Sequence, residues 1–140
     1  MRKLLVLFAL SILTLKAYCS DWIFFNFYKD YTLYYKTPAI TIVDIPKVWI
    51  KQTFTNDAIV GERKRLIYKD KSNPNYKYSK YSYSLFLYEF NCNLKTMNYL
   101  ERIDYDTNGN SINHDYYFPE DENIVPDTPM EALANELCRH

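Results

Sequence analysis

The segment 81–92 constrains the fold most, because its side chains alternate with the period of a β-strand. The even-numbered positions end in Phe90 and Cys92, whereas the odd-numbered positions end in Glu89 and Asn91. A row of apolar side chains opposite a polar row is typical of a strand with one buried face. We therefore expect the even-numbered side chains to face the core of a sheet.

Further strand patterns lie on both sides of this segment, separated by turn residues. Asn108-Gly109 is the strongest hairpin signal among them, because both residues tolerate a positive φ. Pro46 separates two patterns, since proline lacks the amide that a central ladder needs. The aromatic content of 18%, with 15 tyrosines, suits such strands. We predict further strands over 21–28, 31–36, 40–45, 47–55, 94–105 and 110–118.

A short helix is predicted near the C-terminal end of the sequence. Thr128 is placed to cap it, Pro129 suits the first helical position, and Glu131 completes a capping box. The apolar residues that follow share one helical face: Met130, Leu133, Ala134, Leu137 and Cys138. The predicted fold is therefore α+β, an antiparallel meander of about six strands with one C-terminal helix packed on it.

The segment 56–80 differs from the rest, because it is basic and carries few large apolar residues. Asn73-Pro74-Asn75 is a strong turn signal within it, so we predict a long loop or extended hairpin tip outside the core. Cations interleaved with tyrosines can bind acidic protein surfaces, sulfated glycans or anionic lipid, and an ordinary solvated loop is the alternative. The candidate binding residues are Arg63, Lys64, Arg65, Tyr68, Lys69, Lys71, Tyr76 and Lys77.

Residues 1–19 are predicted to be a signal peptide. Arg2 and Lys3 precede an apolar run over 4–15 that is too short to span a bilayer comfortably. Cleavage after this segment would release a single domain over 20–140. We therefore expect an exported protein of the bacterial type, located in the periplasm, at the cell surface or in the medium.

Three alternatives for the N-terminal segment remain open. Cleavage could follow Ala17 instead of Cys19, or the segment could stay as an uncleaved anchor. Lipidation of Cys19 would tether the domain to a membrane, although Tyr18 is bulky for the position before a lipidated cysteine.

The charge of the exported part argues against one class of partner. The sequence carries 17 basic and 17 acidic residues, and three basic ones, Arg2, Lys3 and Lys16, leave with the signal. The remaining 14 basic and 17 acidic residues give a formal net charge of −3. Nucleic-acid binding usually needs a basic field, so we expect no nucleic-acid partner. The presence of only 2 glycines argues against a glycine-rich phosphate loop.

Few residues suggest catalysis or metal binding. The sequence has two histidines, His114 and His140, and lacks the spacing of several converging metal ligands. The pattern Asp-x-Asp-x-Asn-Gly at 104–109 matches the start of a calcium loop, but no helix is predicted before it. We favour a hairpin turn there. No catalytic residue, metal or cofactor is predicted, and we expect a protein that is not an enzyme.

Cys92 and Cys138 are the cysteines that remain once the signal is removed. Cys92 ends a predicted strand on its core face, and Cys138 ends the predicted helix on its apolar face. In an exported protein, such positions favour a disulfide that fastens the helix to the sheet. Two separate buried thiols are the alternative.

An ordered set of short motifs resembles the surface-adhesin protein E-like family across nearly the whole exported part. The matching pieces are Asp21-Trp22, Tyr34-Tyr35, Val48-Trp49-Ile50-Lys51, Leu87-Tyr88-Glu89-Phe90-Asn91-Cys92, Tyr105-Asp106 with Asn108-Gly109, and Val125-Pro126, Thr128-Pro129, Glu131-Ala132-Leu133 and Cys138. The resemblance implies an antiparallel sheet with a helix against it and a Cys92–Cys138 bond. The chain departs from the family in the basic insert over 61–80 and in Asn91, where the pattern usually carries Asp.

Two functions follow as expectations. The resemblance implies an exported bacterial binding protein, such as a surface adhesin for host extracellular-matrix proteins, with a protein or an anionic glycan as ligand. The alternative is a periplasmic or envelope structural protein that acts through sheet-edge or homodimer contacts.

Overall fold

The computed structural model of the chain describes residues 22–36, 40–42, 44–70 and 77–139. Within these ranges the chain forms eight strands and two helices. They are β1 Trp22–Phe27, β2 Tyr31–Lys36, β3 Ile40–Ile42, β4 Ile45–Phe54, α1 Asn56–Lys69, β5 Tyr81–Asn91, β6 Thr96–Asp106, β7 Ser111–Tyr116, β8 Glu122–Asn123 and α2 Pro129–Leu137. The predicted signal peptide and Cys19 lie outside the described residues, as do Lys71 and Tyr76 of the candidate binding residues.

All the described strands belong to one antiparallel sheet. Its main order is β1-β2-β4-β5-β6-β7, with β3 paired to β4 and β8 paired to β6. The predicted antiparallel sheet with a C-terminal helix is confirmed. Pro46 lies inside β4 as the partner of Thr41, although we expected it to separate two strands.

The β6–β7 hairpin turns where Asn108-Gly109 predicts a turn. Gly109 has a φ of 82°, a value that side chains with a Cβ rarely adopt. The Asp106 carboxylate accepts hydrogen bonds from the backbone amides of Asn108 and Asn110, both at 2.8 Å. These bonds, led by the one from Asn110, lower the pKa of Asp106. Asp106, the second aspartate of the calcium-like pattern, therefore stabilises the hairpin turn through these hydrogen bonds.

α2 packs on the sheet through the apolar face that its sequence predicts. Thr128 caps the helix by accepting a hydrogen bond from the Glu131 amide at 3.3 Å. In a capping box, the Glu131 carboxylate would accept a hydrogen bond from the amide of the cap residue, Thr128. Here it accepts instead from the amide of the preceding residue, Asp127, at 2.8 Å. Leu133, which is 1% exposed, packs against Phe90, so the even-numbered face of β5 is the core face beneath α2, as predicted.

The prediction of a loop or hairpin tip over 56–80 is wrong for Asn56–Lys69, which form α1. Thr55 caps this helix by accepting from the Ala58 amide at 3.3 Å. Ile59, Leu66 and Ile67 recur at helical spacing, and they belong to a second apolar cluster with Phe54 and Tyr81. Burial of this stripe holds the helix despite its basic composition, because tertiary packing supplies most helix stability in proteins.

Both helices lie on the same face of the sheet. Val48 and Ile50 pack in the cluster beneath α2, and Phe54 packs in the cluster beneath α1. These three residues have the same parity in β4, so their side chains point to one side. The intervening Trp49 and Lys51 point to the other side, which neither helix covers and which we call the open face.

Candidate binding surfaces

The outward side of α1 carries several of the predicted binding residues. Lys64, Arg65 and Tyr68 occupy positions i, i+1 and i+4 of the helix, so they share one exposed face with Lys69 beside them. The side chain of Tyr68 is 81% exposed, although tyrosine has a large apolar ring. Arg65 pairs with the Glu62 carboxylate of the preceding turn. We call Lys64, Arg65, Tyr68 and Lys69 the α1 ridge.

Arg63 does not join the α1 ridge. Its Nε donates a hydrogen bond of 2.8 Å to the carbonyl oxygen of Tyr81 and so fastens α1 to the start of β5. The sequence pattern groups Arg63 with Lys64 and Arg65, but on a helix their side chains point in different directions. Arg63 therefore has a structural role in the described part of the chain.

A buried hydrogen-bond network centred on Asp104 lies between the sheet and α1. Asp104 is 1% exposed. Its Oδ1 accepts from the Ser84 hydroxyl at 2.5 Å and from Arg102 Nε at 2.8 Å, and its Oδ2 accepts from the Tyr78 hydroxyl at 3.1 Å. The Tyr81 hydroxyl donates to Ser84 at 2.8 Å, because Ser84 uses its own hydrogen on Asp104. Desolvation by burial raises the pKa of Tyr81 to about 12.

Both oxygens of the buried Asp104 carboxylate accept hydrogen bonds within this network. Ser84 donates to a carboxylate, and no histidine stands beside it among its hydrogen-bond partners in the described residues. A buried carboxylate needs such donors, since an unpaired buried charge costs far more than an exposed one. The sequence offered one signal for the network: Ser84 is a small polar residue on the face of β5 predicted to be buried.

Lys69 and Lys77 of the predicted binding residues come together at a polar cavity of about 310 Å³. Lys77 donates a hydrogen bond of 3.0 Å to the side-chain oxygen of Asn113. Arg102 and Asp104 line the floor of this cavity, and Asp115 lines its β7 side. The cavity is lined by equal numbers of basic and acidic side chains, so its charge favours neither an anionic nor a cationic ligand.

His114 lies on the open face, as a surface residue. One ring nitrogen is 2.9 Å from a Glu101 carboxylate oxygen, and the other is 3.3 Å from the Tyr116 hydroxyl. In the described ranges, no three histidine, cysteine or acidic side chains converge as metal ligands would.

The open face carries a row of aromatic rings with two lysines among them. Lys51 Nζ lies 4.4 Å from the centre of the Tyr83 ring and 5.8 Å from that of Trp22. Lys36 Nζ lies 6.0 Å from the same Trp22 ring. Tyr105 stacks on Tyr83 across the β5–β6 pair, with ring centres 4.9 Å apart and planes 11° apart. Sequence reasoning missed this surface, because its residues come from five separate strands.

β1 is an edge strand of the described sheet, and it exposes large apolar side chains. Phe24 and Phe27 are each 60% exposed, and Ile23 is 39% exposed. A sheet edge with unpaired backbone groups and apolar side chains is a site where another chain can pair.

The disulfide between Cys92 and Cys138 is present, and it joins the end of β5 to the end of α2. No helix in the described ranges is both long and apolar enough for a membrane crossing.

Comparison with protein families identifies a relationship over nearly the whole chain. The sequence profile described as surface-adhesin protein E matches residues 22–139, which is nearly the whole chain. None of the curated proteins and none of the solved structures compared with the chain matches it.

Proposed function

The chain belongs to the surface-adhesin protein E family, and we propose that it is an exported bacterial adhesin that attaches to host extracellular-matrix proteins. The family membership supports a binding role at or beyond the cell surface. The proposal is for a binding protein and not for an enzyme, because the buried polar groups around Asp104 satisfy one another.

The α1 ridge is the observation that carries the proposal. Tyr68 is 81% exposed on a helix whose opposite side is buried, and Lys64 and Arg65 flank it. Tyrosine and arginine are enriched among the residues that dominate binding energy at interfaces. A helix anchored through Leu66 presents them rigidly, so less conformational entropy is lost on binding. Arg65 is paired with Glu62, so the Lys64 ammonium group beside the Tyr68 ring is the charge that fits an acidic patch on a protein ligand.

The test is binding of the purified chain to immobilised fibronectin, laminin, vitronectin and collagen, measured by biolayer interferometry. The variant Lys64→Gln/Tyr68→Ala should weaken binding about 30-fold, since loss of an interface tyrosine of this kind costs about 2 kcal/mol. The control variant Lys95→Gln/Tyr116→Ala removes the same two residue types from exposed positions away from α1 and should bind as the unchanged chain does. Equal binding by both variants, or no binding to any matrix protein, would refute the proposal.

A second candidate function, assembly through a sheet edge, is favoured by β1. An envelope protein that pairs through this strand would run as a dimer, and its exposed Phe24 would lie at the contact. The variant Phe24→Lys should then become a monomer by light scattering, whereas Phe118→Lys, at a position that is 92% exposed, should not. A monomeric unchanged chain would exclude this function.

A further inference from the structure

Two lysines of the open face have no acidic partner within ion-pair distance among the described residues. They are Lys36 of β2 and Lys51 of β4. Both ammonium groups lie near the Trp22 ring, at 6.0 and 5.8 Å from its centre. Lys51 also lies 4.4 Å from the centre of the Tyr83 ring. The rings hold both cations at one end of the face by cation–π attraction.

The other charges near the open face have partners or lie away from the two lysines. Asp106, whose charge acts on Tyr83, accepts two backbone hydrogen bonds in the β6–β7 turn. Lys47 pairs with Glu89 at 3.1 Å. Glu101 contacts His114 at 2.9 Å. Asp121 lies at the far end of the face, where it accepts a hydrogen bond of 3.0 Å from the Asn98 side chain. Among the residues that the structure describes, the β1–β2–β4 end of this face is therefore positive, although the exported chain as a whole has an acidic excess.

The aromatic rings extend this positive end into a platform. The rings of Trp22 and Tyr83 both lie near the Lys51 ammonium group, and Tyr105 stacks on Tyr83 with planes 11° apart. All three side chains are half-buried, so they are held in place yet keep part of their surface accessible. Flat aromatic surfaces pack against the C–H faces of sugar rings, while ammonium groups bind sulfate and carboxylate.

We propose that the open face binds a sulfated, acidic polysaccharide through Lys36, Lys51 and the rings of Trp22, Tyr83 and Tyr105. The combination of unpaired cations with a row of aromatic rings matches the repeating anionic groups and sugar rings of such a chain. An extended peptide would instead pair with a sheet edge, because the face of a sheet offers no free backbone donors. The site is separate from the α1 ridge, which lies on the other side of the sheet.

The test measures binding of the full chain to heparin oligosaccharides by calorimetry at physiological salt. The variant Lys36→Gln/Lys51→Gln should lower the affinity about tenfold, since each exposed ion pair contributes up to about 1 kcal/mol. The control variant Lys47→Gln/Lys95→Gln has the same net charge and should lose less than about twofold. Binding of the unchanged chain should weaken as salt rises, because the lysines are accessible to solvent.

Two further measurements separate the glycan site from the α1 ridge and from nonspecific charge. Trp22→Leu keeps both lysines but removes a ring, and it should also weaken heparin binding. Lys64→Gln/Tyr68→Ala should leave heparin binding unchanged. The proposal is overturned if heparin does not bind, if the two lysine double variants lose affinity equally, or if only the α1 variant loses it. Circular dichroism of each variant establishes that it is folded.

Discussion

Removal of the Cys92–Cys138 bond gives the sharpest test of how this domain is stabilised. The two cysteines are 46 residues apart in sequence, and the bond closes β6, β7, β8 and α2 into one loop. In the chain-entropy model, a crosslink over a loop of this length stabilises the folded state by about 4 kcal/mol. Small domains have a total free energy of unfolding of about 5–15 kcal/mol, so the predicted loss is a large fraction of the total.

The predicted effect acts mainly on the unfolded chain. α2 should stay docked in the variant Cys92→Ala/Cys138→Ala, because Leu133 is 1% exposed and remains packed against Phe90. A helix of nine residues would not persist in water without that packing. The helical circular dichroism of the native state should therefore be retained while the free energy of unfolding falls.

The assay is equilibrium unfolding in urea, followed by tryptophan fluorescence. The double variant should show a free energy of unfolding lower by about 4 kcal/mol and a steeper dependence on urea, since its unfolded chain exposes more surface. Reduction of the unchanged chain with a thiol reagent breaks the same bond and should give the same loss. A loss below about 1 kcal/mol with an unchanged urea slope would refute this reasoning.

Three further predictions concern single residues. Asp104→Ala should lower the free energy of unfolding by about 3–5 kcal/mol in urea, because it leaves the half-buried Arg102 guanidinium unpaired; a loss near zero would contradict the network. Gly109→Ala should cost about 1 kcal/mol by the same assay, since a φ of 82° strains alanine while the added Cβ meets nothing within 4 Å. Tyr81 should titrate near pH 12 by ultraviolet absorbance, and its neutral form favours the folded state. The stabilisation of the folded state by the neutral Tyr81 hydroxyl is therefore fully present below pH 10.0, and it is lost as the pH rises through about 12. Titration of Tyr81 near pH 10.0 would contradict its burial.

The sheet and α2 were predictable because their signals are local. The alternation that ends in Phe90 needs only the two-residue period of a strand. The turn at Gly109 and the cap at Thr128 each rest on a few adjacent residues. Even so, Tyr81 at an odd position of β5 is fully buried, since a register shift between Tyr81 and Tyr83 alters the alternation there.

The helix α1 was not predicted because the interpretation of segment 56–80 relied on its basic composition and not on the helical spacing of its apolar residues. Thr55 and Asp57 give an N-terminal helix signal, and Ile59, Leu66 and Ile67 follow at helical spacing. The basic residues between Ile59 and Ile67 suggest a solvated loop when the segment is considered alone. The apolar residues become a helix face only when the residues that they pack against are known. Those partners, including Tyr81, are distant in sequence, and the sheet alone brings them within reach.

The candidate surfaces were predictable only in part. Lys64 and Tyr68 share an exposed helix face, as a basic and aromatic segment allows, but Arg63 turns inward to a backbone carbonyl. The row of rings around Lys51 could not be found from the sequence, because strand order and register decide which residues become neighbours.

Attachment of whole cells tests the central claim most directly. Bacteria that express the full chain would be applied to surfaces coated with matrix proteins, with antibody staining to establish that the chain is displayed. Expression should raise the number of attached cells, the Lys64→Gln/Tyr68→Ala variant should abolish the increase, and excess purified chain should block it. Equal attachment with and without the displayed chain would contradict the claim that it is an adhesin.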